Sequence, residues 1–350
     1  MRFPTAPTRL AGLIAGAGIA VVAVASMGSV PVSPSTTAAI LLDQALRITE
    51  SVTGTVALPR VYDGPEELRT IVVTLRMPRV VVGGIVGFAL GVAGAVMQGF
   101  FRNPMADPAI IGVSSGAAVG AVAVIALPVA VPLVGVAGAA FVGALVAAFT
   151  VYAIATKRGR TGVARLLLAG VAMQTFLGAV TSYLVYRSGD DLRTAVFWLM
   201  GNLTHRSWEH VAVALPVVLI GSLELARRGP ELNLMTLRED EATSLGVDVE
   251  RTKRRLLAVS SVVTAAAVAV SGVIGFVGLI VPHVVRLVVG PDHRVVVPAS
   301  GAAGATFLVA ADAVARSALG GAELPVGILT AFVGVPFFLS LLRRREVYEL

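Results

Sequence analysis

The hydrophobic positions of this chain run in long blocks, nearly free of charge, and do not follow a strict period of two or 3.6 residues. The blocks are Leu10–Val30, Val80–Phe101, Ile110–Leu127, Leu133–Thr156, Val163–Val185, His210–Leu225, Leu256–Ser271, Val273–Val289, Val295–Ala311 and Leu324–Leu342. A helix rises 1.5 Å per residue, so about 20 apolar residues cross the ~30 Å hydrocarbon core of a bilayer. The pattern predicts an all-α polytopic membrane protein of about ten transmembrane helices. Residues 1–9 read as a cytoplasmic N-terminus, 10–30 as the first span, 31–70 as a polar external loop and 346–350 as a cytoplasmic tail. Arg2, Arg9 and Ala23-Val24-Ala25 allow a second reading of the first block as a cleavable signal, although the uncharged run continues to Val30.

Basic residues orient the bundle, because short cytoplasmic loops retain Lys and Arg. Alternating ten spans from a cytoplasmic N-terminus puts Lys157–Arg160, Arg227, Arg228, Arg251–Arg255, Arg294 and Arg343–Arg345 on one side. That side is expected to be the cytoplasm, with both termini on it. The opposite side receives 31–70, Arg187, Arg193 and Arg316.

Composition narrows the class. The chain is 56% hydrophobic and 14% charged, against about 45–50% and about 25% in soluble domains, and its mean hydropathy is +0.86. A soluble enzyme is excluded. The absence of cysteine removes disulfides, thiolate metal sites and a cysteine nucleophile. The only lysines, Lys157 and Lys253, are each followed by arginine, so neither belongs to a G-x-x-x-x-G-K-[ST] phosphate loop. If ATP drives this protein, another chain binds it.

Two polar segments interrupt the apolar blocks. Residues 227–255 form a charged cytoplasmic segment in which Leu245-Gly246 reads as a helix stop and Asp248 as a cap for the next helix. It suits either a solvated loop helix or an amphipathic helix that docks onto a partner. In the second, Phe101–Gly116, Pro104 and Pro108 force a turn at the membrane surface, because each removes an amide donor and restricts its predecessor.

Several strings together carry a resemblance: LRMPR (Leu75–Arg79), MQGFFRNPMADPAIIGVSSGA (Met97–Ala117), GVIGFVGLIVPHVVR (Gly272–Arg286), GPDHR (Gly290–Arg294), ADAVAR (Ala311–Arg316) and ELPVGILTAFVGVPFF (Glu323–Phe338). In order and spacing, from about Leu75 to Arg345, the chain resembles the FecCD-type permeases, membrane subunits of ABC importers for ferric siderophores, haem and vitamin B12. Gln98, Asn103, Pro104, Pro108, Gly112, Pro282, Glu323, Pro325 and Gly327 stand in these strings. The resemblance implies a permease domain over 71–345 with the fold of type II ABC importers. It also implies a permease dimer, of identical or different chains, in a bacterial cytoplasmic membrane. Two ATPase subunits inside would carry ATP and Mg, with no cofactor on this chain, and a substrate-binding protein would sit outside. Nucleic acid is not an expected partner, and the chain is expected to be a transport subunit without catalytic residues.

Residue by residue, the family's E-x-x-A-x-x-L-G coupling motif falls on Glu239, Ala242, Leu245 and Gly246. Its outer arginines, which meet acidic residues of the binding protein, fall on Arg76, Arg79 and Arg316; span-end arginines also serve as headgroup anchors. The family's pathway spans contribute Met173, Gln174, Thr181 and Ser182, then Thr330 and Phe332. One sequence does not tell which of these face a pathway and which face helix neighbours. Ferric siderophore is the expected cargo, with cobalamin or haem as the alternative. An ion-coupled secondary transporter is weakly supported, because Asp107, Asp292, Asp312 and Glu323 have no evident mid-membrane partner in the sequence. His205, His210, His283 and His293 lack a metal-ligand spacing.

Overall fold

The structure is a computed structural model and describes residues 20–28, 30–54, 59–127, 135–237, 239–318 and 323–343. Among these, the helices are α1 (Pro34–Thr53), α2 (Glu66–Phe101), α3 (Val113–Ala126), α4 (Gly135–Ala155), α5 (Val163–Arg187), α6 (Leu192–Leu199) and α7 (Trp208–Arg227). They continue with α8 (Gly229–Met235), α9 (Glu239–Ser244), α10 (Val249–Ser271), α11 (Val277–Val289), α12 (His293–Ser317) and α13 (Val326–Arg343). Helices α2, α4, α5, α7, α10 and α12 are long and apolar enough to cross a membrane. Shorter apolar helices α3, α11 and α13 fill three further blocks. The first block is described only from residue 20, where 20–26 is helical, so its start and the signal-cleavage question lie outside the described residues.

Helix α2 is the central post. Of its most apolar window 83% is buried, against 11% for α5, and it packs on α7, α10, α11 and α12. A helix apolar on all sides suits such a position. Small residues let α12 touch it backbone to backbone: a Cβ on Gly87 would stand 2.2 Å from the Gly304 carbonyl oxygen. In lipid, where association depends on close packing, that contact holds helices together. Around the post, α3 packs on α4 and α5, and α13 on α11 and α12.

The segment expected as a polar loop is largely helical. Ser33 caps α1 through its hydroxyl, which accepts from the Thr36 N–H at 3.1 Å, and Pro34 fills the first turn. Asp43, fully buried, then ties α1 to the chain beyond it. Its carboxylate accepts from Arg69, from Arg47 at 2.9 Å and from the Val61 N–H at 3.1 Å. Helix α2 accordingly starts at Glu66, well before the apolar block at Val80. Pro78 cannot donate into the preceding turn, and the helix widens there into a π-turn over Ile71–Arg76.

Elsewhere the polar connections behave as their residues dictate. Arg102 takes a left-handed conformation to end α2, and the Asp107 carboxylate caps Pro108–Ile111 by accepting from the Ala109 N–H at 2.8 Å. Burial pushes the Asp107 carboxyl up from the usual range, while the Ala109 N–H opposes it. A hairpin of Thr156–Lys157 and Arg160–Thr161, turning through Arg158 and Gly159 with positive φ, joins α4 to α5.

Candidate functional site

Segment 227–255, expected on the cytoplasmic side, folds as an arm with two joints. At the first, Asn233 of α8 binds the start of α12. Its Nδ2 donates to Asp292 Oδ1 at 2.8 Å, and its Oδ1 accepts from the His293 N–H at 2.9 Å. His293 Nδ1 also lies 2.8 Å from that oxygen, which can only accept, so Nδ1 carries the proton. Arg102 at the end of α2 donates through Nε to the Met235 carbonyl at 2.7 Å. Asp292 is held well below the usual carboxylate range by Arg294, then by Asn233.

The second joint is built on Lys253, whose residue is 3% exposed. Its Nζ donates to Glu239 Oε1 at 2.7 Å, to Glu250 Oε1 at 3.1 Å and to the Thr161 carbonyl at 3.2 Å. Glu250 also accepts from the Thr161 N–H at 2.9 Å, so the hairpin, α9 and α10 meet at one ammonium group. A cavity of about 290 Å3 lies under α9 between Phe100, Met235, Ala242, Val249 and Lys253.

Helix α9 then ends in a Schellman closure. The Val247 N–H reaches the Ala242 carbonyl at 3.1 Å, and the Gly246 N–H reaches that of Thr243 at 2.9 Å. Gly246 sits at φ +90°, where glycine is at home. Ala242 and Val247 bury against each other with Val249 and Leu234, which is the apolar contact such a closure carries. Leu245, the last residue before Gly246, is left 60% exposed. Asp248 starts α10 by accepting from the Arg251 N–H at 3.0 Å. Of the four coupling candidates, Glu239, Ala242 and Gly246 thus build the arm, and Leu245 is the apolar side chain it presents.

At the opposite end, the structure brings the rim arginines together and buries them. Arg79 forks onto Asp312, with Nε 3.0 Å from Oδ2 and Nη2 2.9 Å from Oδ1, and its Nη1 donates to Glu323 Oε2 at 2.8 Å. Arg316 Nε stands 3.2 Å from Asp312 Oδ2, and its two Nη atoms donate to the carbonyls of Met27 and Val24. Arg76 donates to the carbonyls of Ala25, Ser26 and Val30. All three are at most 8% exposed. Asp312, for which the sequence offers only Arg316 one turn away, is therefore doubly paired, and Glu323 also accepts from Thr204 at 3.0 Å. Partial burial raises the Glu323 carboxyl, but the Arg79 hydrogen bond and charge outweigh it and leave the group below its ordinary value.

The pathway candidates divide. Gln174 donates to the Ile110 and Ala109 carbonyls at 2.9 and 3.2 Å, and half-buried Met173 faces Gly112. Thr181 and Thr330 are buried and donate to Leu177 and Gly327 of their own helices. Ser182 and Phe332 are exposed. The remaining motif residues serve helix contacts. Gln98 donates to the Leu279 carbonyl at 2.9 Å, and Asn103 turns the chain by accepting from the Met105 N–H at 2.9 Å. Pro104, Pro108, Pro282 and Pro325 are buried. Gly112 ends its turn at φ +85°, and the Gly327 N–H reaches the Gly201 carbonyl at 3.1 Å. Sequence reasoning missed Lys253, Glu250, Asn233 and the Arg79–Asp312 pair. Of these, only the Asp312 to Arg316 spacing offered a signal.

The fold defines a membrane-embedded helical bundle whose segment 227–255 is held as a structured arm. The pattern of the FecCD transport family matches residues 8–344, and the chain belongs to that family. It is 55% identical, over 99% of both chains, to the cobalamin import system permease protein BtuC of Halobacterium salinarum. It is 44% identical to the hemin transport system permease protein HmuU of Yersinia pestis, over 78% of this chain and 83% of that one. The Fe(3+)-citrate import system permease protein YfmD of Bacillus subtilis is 39% identical over 81% of this chain. Among solved structures, a metal-chelate type ABC transporter in an inward-facing conformation matches with a TM-score of 0.73 and 32% identity, covering 89% of this chain and all of that one. The chain is thus a multi-pass ABC importer permease, a transport subunit and not a catalytic one.

Proposed function

We propose that this permease carries cobalamin across the cytoplasmic membrane. The observation that carries the reading is the 55% identity over 99% of both chains to a permease named for cobalamin import. The relatives named for hemin and ferric citrate match at 44% and 39% over about four-fifths of this chain. Cobalamin therefore replaces ferric siderophore, the expectation from sequence, as the preferred cargo.

In this reading two permease chains form the translocation unit, with Ser182 and Phe332 as the exposed candidates for its lining. An ATPase subunit docks on Leu245 from the cytoplasm, and ATP-driven closure pulls on α9. Lys253 passes the movement to α10, and Asn233 and Arg102 pass it to α12 and α2, so the spans rock between two states. A binding protein delivers cargo at the outer face. The buried rim arginines brace the helices that it meets.

The test is uptake of radiolabelled cobalamin, and separately of radiolabelled iron as ferric siderophore, in strains with and without the gene. Loss of cobalamin uptake alone, restored by the intact gene, is the expected result. Loss of iron uptake with cobalamin uptake intact would overturn the cargo and leave the family membership standing.

A further inference from the structure

The coupling arm leaves a group of cations unused where α4, α5 and α10 meet at the cytoplasmic surface. Lys157, Arg158 and Arg160 stand on the hairpin, Arg165 on the first turn of α5, and Arg254 and Arg255 on α10 directly after Lys253. All six are exposed, and none forms a salt bridge among the described residues. The neighbouring carboxylates are already committed, Glu250 to Lys253 and the Thr161 N–H, Asp248 to Arg251. Because Thr161 is bound to both Glu250 and Lys253, the hairpin and the α10 cations belong to one patch.

Beside this patch a cleft of about 460 Å3 opens into the bundle. Arg254 and Arg255 line it together with Phe149, Tyr152, Leu166 and Leu257. Phe149 also belongs to an open apolar groove along α4, shared with Val142, Val146 and Ile154. Cations at one end and an apolar channel at the other match an amphiphile. An acidic protein surface would satisfy the charges and leave the cleft unfilled.

We propose that this patch and cleft bind an anionic phospholipid of the cytoplasmic leaflet. The phosphate sits against Arg254 and Arg255, whose planar forks suit a phosphate, and the hairpin cations add an attractive field over the headgroup. One acyl chain follows Tyr152 and Phe149 down the cleft. Arg254 is the next residue after Lys253, so an occupied site fixes the first turns of α10, on which Glu239 and the α9 arm rest. Arginines that only set topology would leave lipids exchanging without preference.

Mass spectrometry of the intact, detergent-purified chain tests this with phosphatidylglycerol and phosphatidylcholine of identical acyl chains. The native chain is expected to retain phosphatidylglycerol selectively and to lose it as salt is raised. Arg254→Gln with Arg255→Gln lowers retention by roughly thirtyfold at low salt, whereas Arg254→Lys with Arg255→Lys, which keeps the charge but not the fork, lowers it less. Equal retention of the two lipids by the native chain would overturn the proposal, and that arm is independent of how the variants insert. Unchanged phosphatidylglycerol retention in the glutamine variant would overturn it as well. If that variant also lost association with the ATPase subunit in detergent, the patch would be assigned to a protein partner.

Discussion

The two ends of the bundle use charge in opposite ways. At the rim, Arg79, Asp312 and Arg316 are buried and ion-paired within the chain, and Arg76 is spent on three backbone carbonyls. At the other end, Lys253 is equally buried, yet the helix it anchors is followed by an exposed leucine. In the proposed mechanism the rim is a brace and the arm is a handle. An ion pair withdrawn from water stabilises only when both partners stay paired, so the rim should respond to mutation as structure. The arm should respond as function.

The sharpest way to break this contrast is Asp312→Ala, which takes from Arg316 its carboxylate partner and leaves Arg79 with Glu323 alone. Removing one partner of a buried pair costs about 3–5 kcal/mol, and a large fall in the thermal unfolding midpoint of the purified chain is expected. A midpoint close to the native one would place these arginines in an exposed docking role. Next in size is Leu245→Asp, which should reduce transport at least tenfold in reconstituted importer and weaken ATPase association, with the unfolding midpoint unchanged. Transport at the native level would remove Leu245 from the coupling contact.

Gly246→Ala probes the closure itself. Placing a Cβ at φ +90° costs about 1 kcal/mol, expected as faster proteolysis of the 227–255 segment with the membrane helices intact. The smallest effect concerns Glu323, whose folded value lies below its ordinary 4.5. A depressed carboxylate contributes stability that is present above its unfolded value and lost as pH falls through the folded one. The difference in unfolding midpoint between native protein and Glu323→Gln should therefore shrink on acidification below about pH 4.5. The difference stays modest, because the Glu323 side chain is 38% exposed.

The apolar blocks were legible because lipid demands length and hydrophobicity from each spanning segment, whatever it packs against. Helix α1 was not legible as a hydrophobic block. Its stability comes from the Ser33 cap and from Asp43 reaching Arg69 and Val61 across the sequence. The arm was half legible: Leu245-Gly246 and Asp248 mark a stop and a start by local chemistry alone. Lys253 reads as one more topology charge until the hairpin and α9 are folded against it. The rim shows the same limit, since Asp312 and Arg316 are one turn apart but Arg79 joins them from a different helix.

Helix α2 begins at Glu66, next to the Asp43–Arg69 tie to α1, and ends at Arg102, whose Nε holds the Met235 carbonyl of the arm. Its 36 residues make a rod of about 54 Å, longer than the bilayer core is thick. In the proposed mechanism a push on the arm would reach the far side as a tilt of this rod. Spectroscopic probes at its two ends should report one angular excursion, in phase and of equal size.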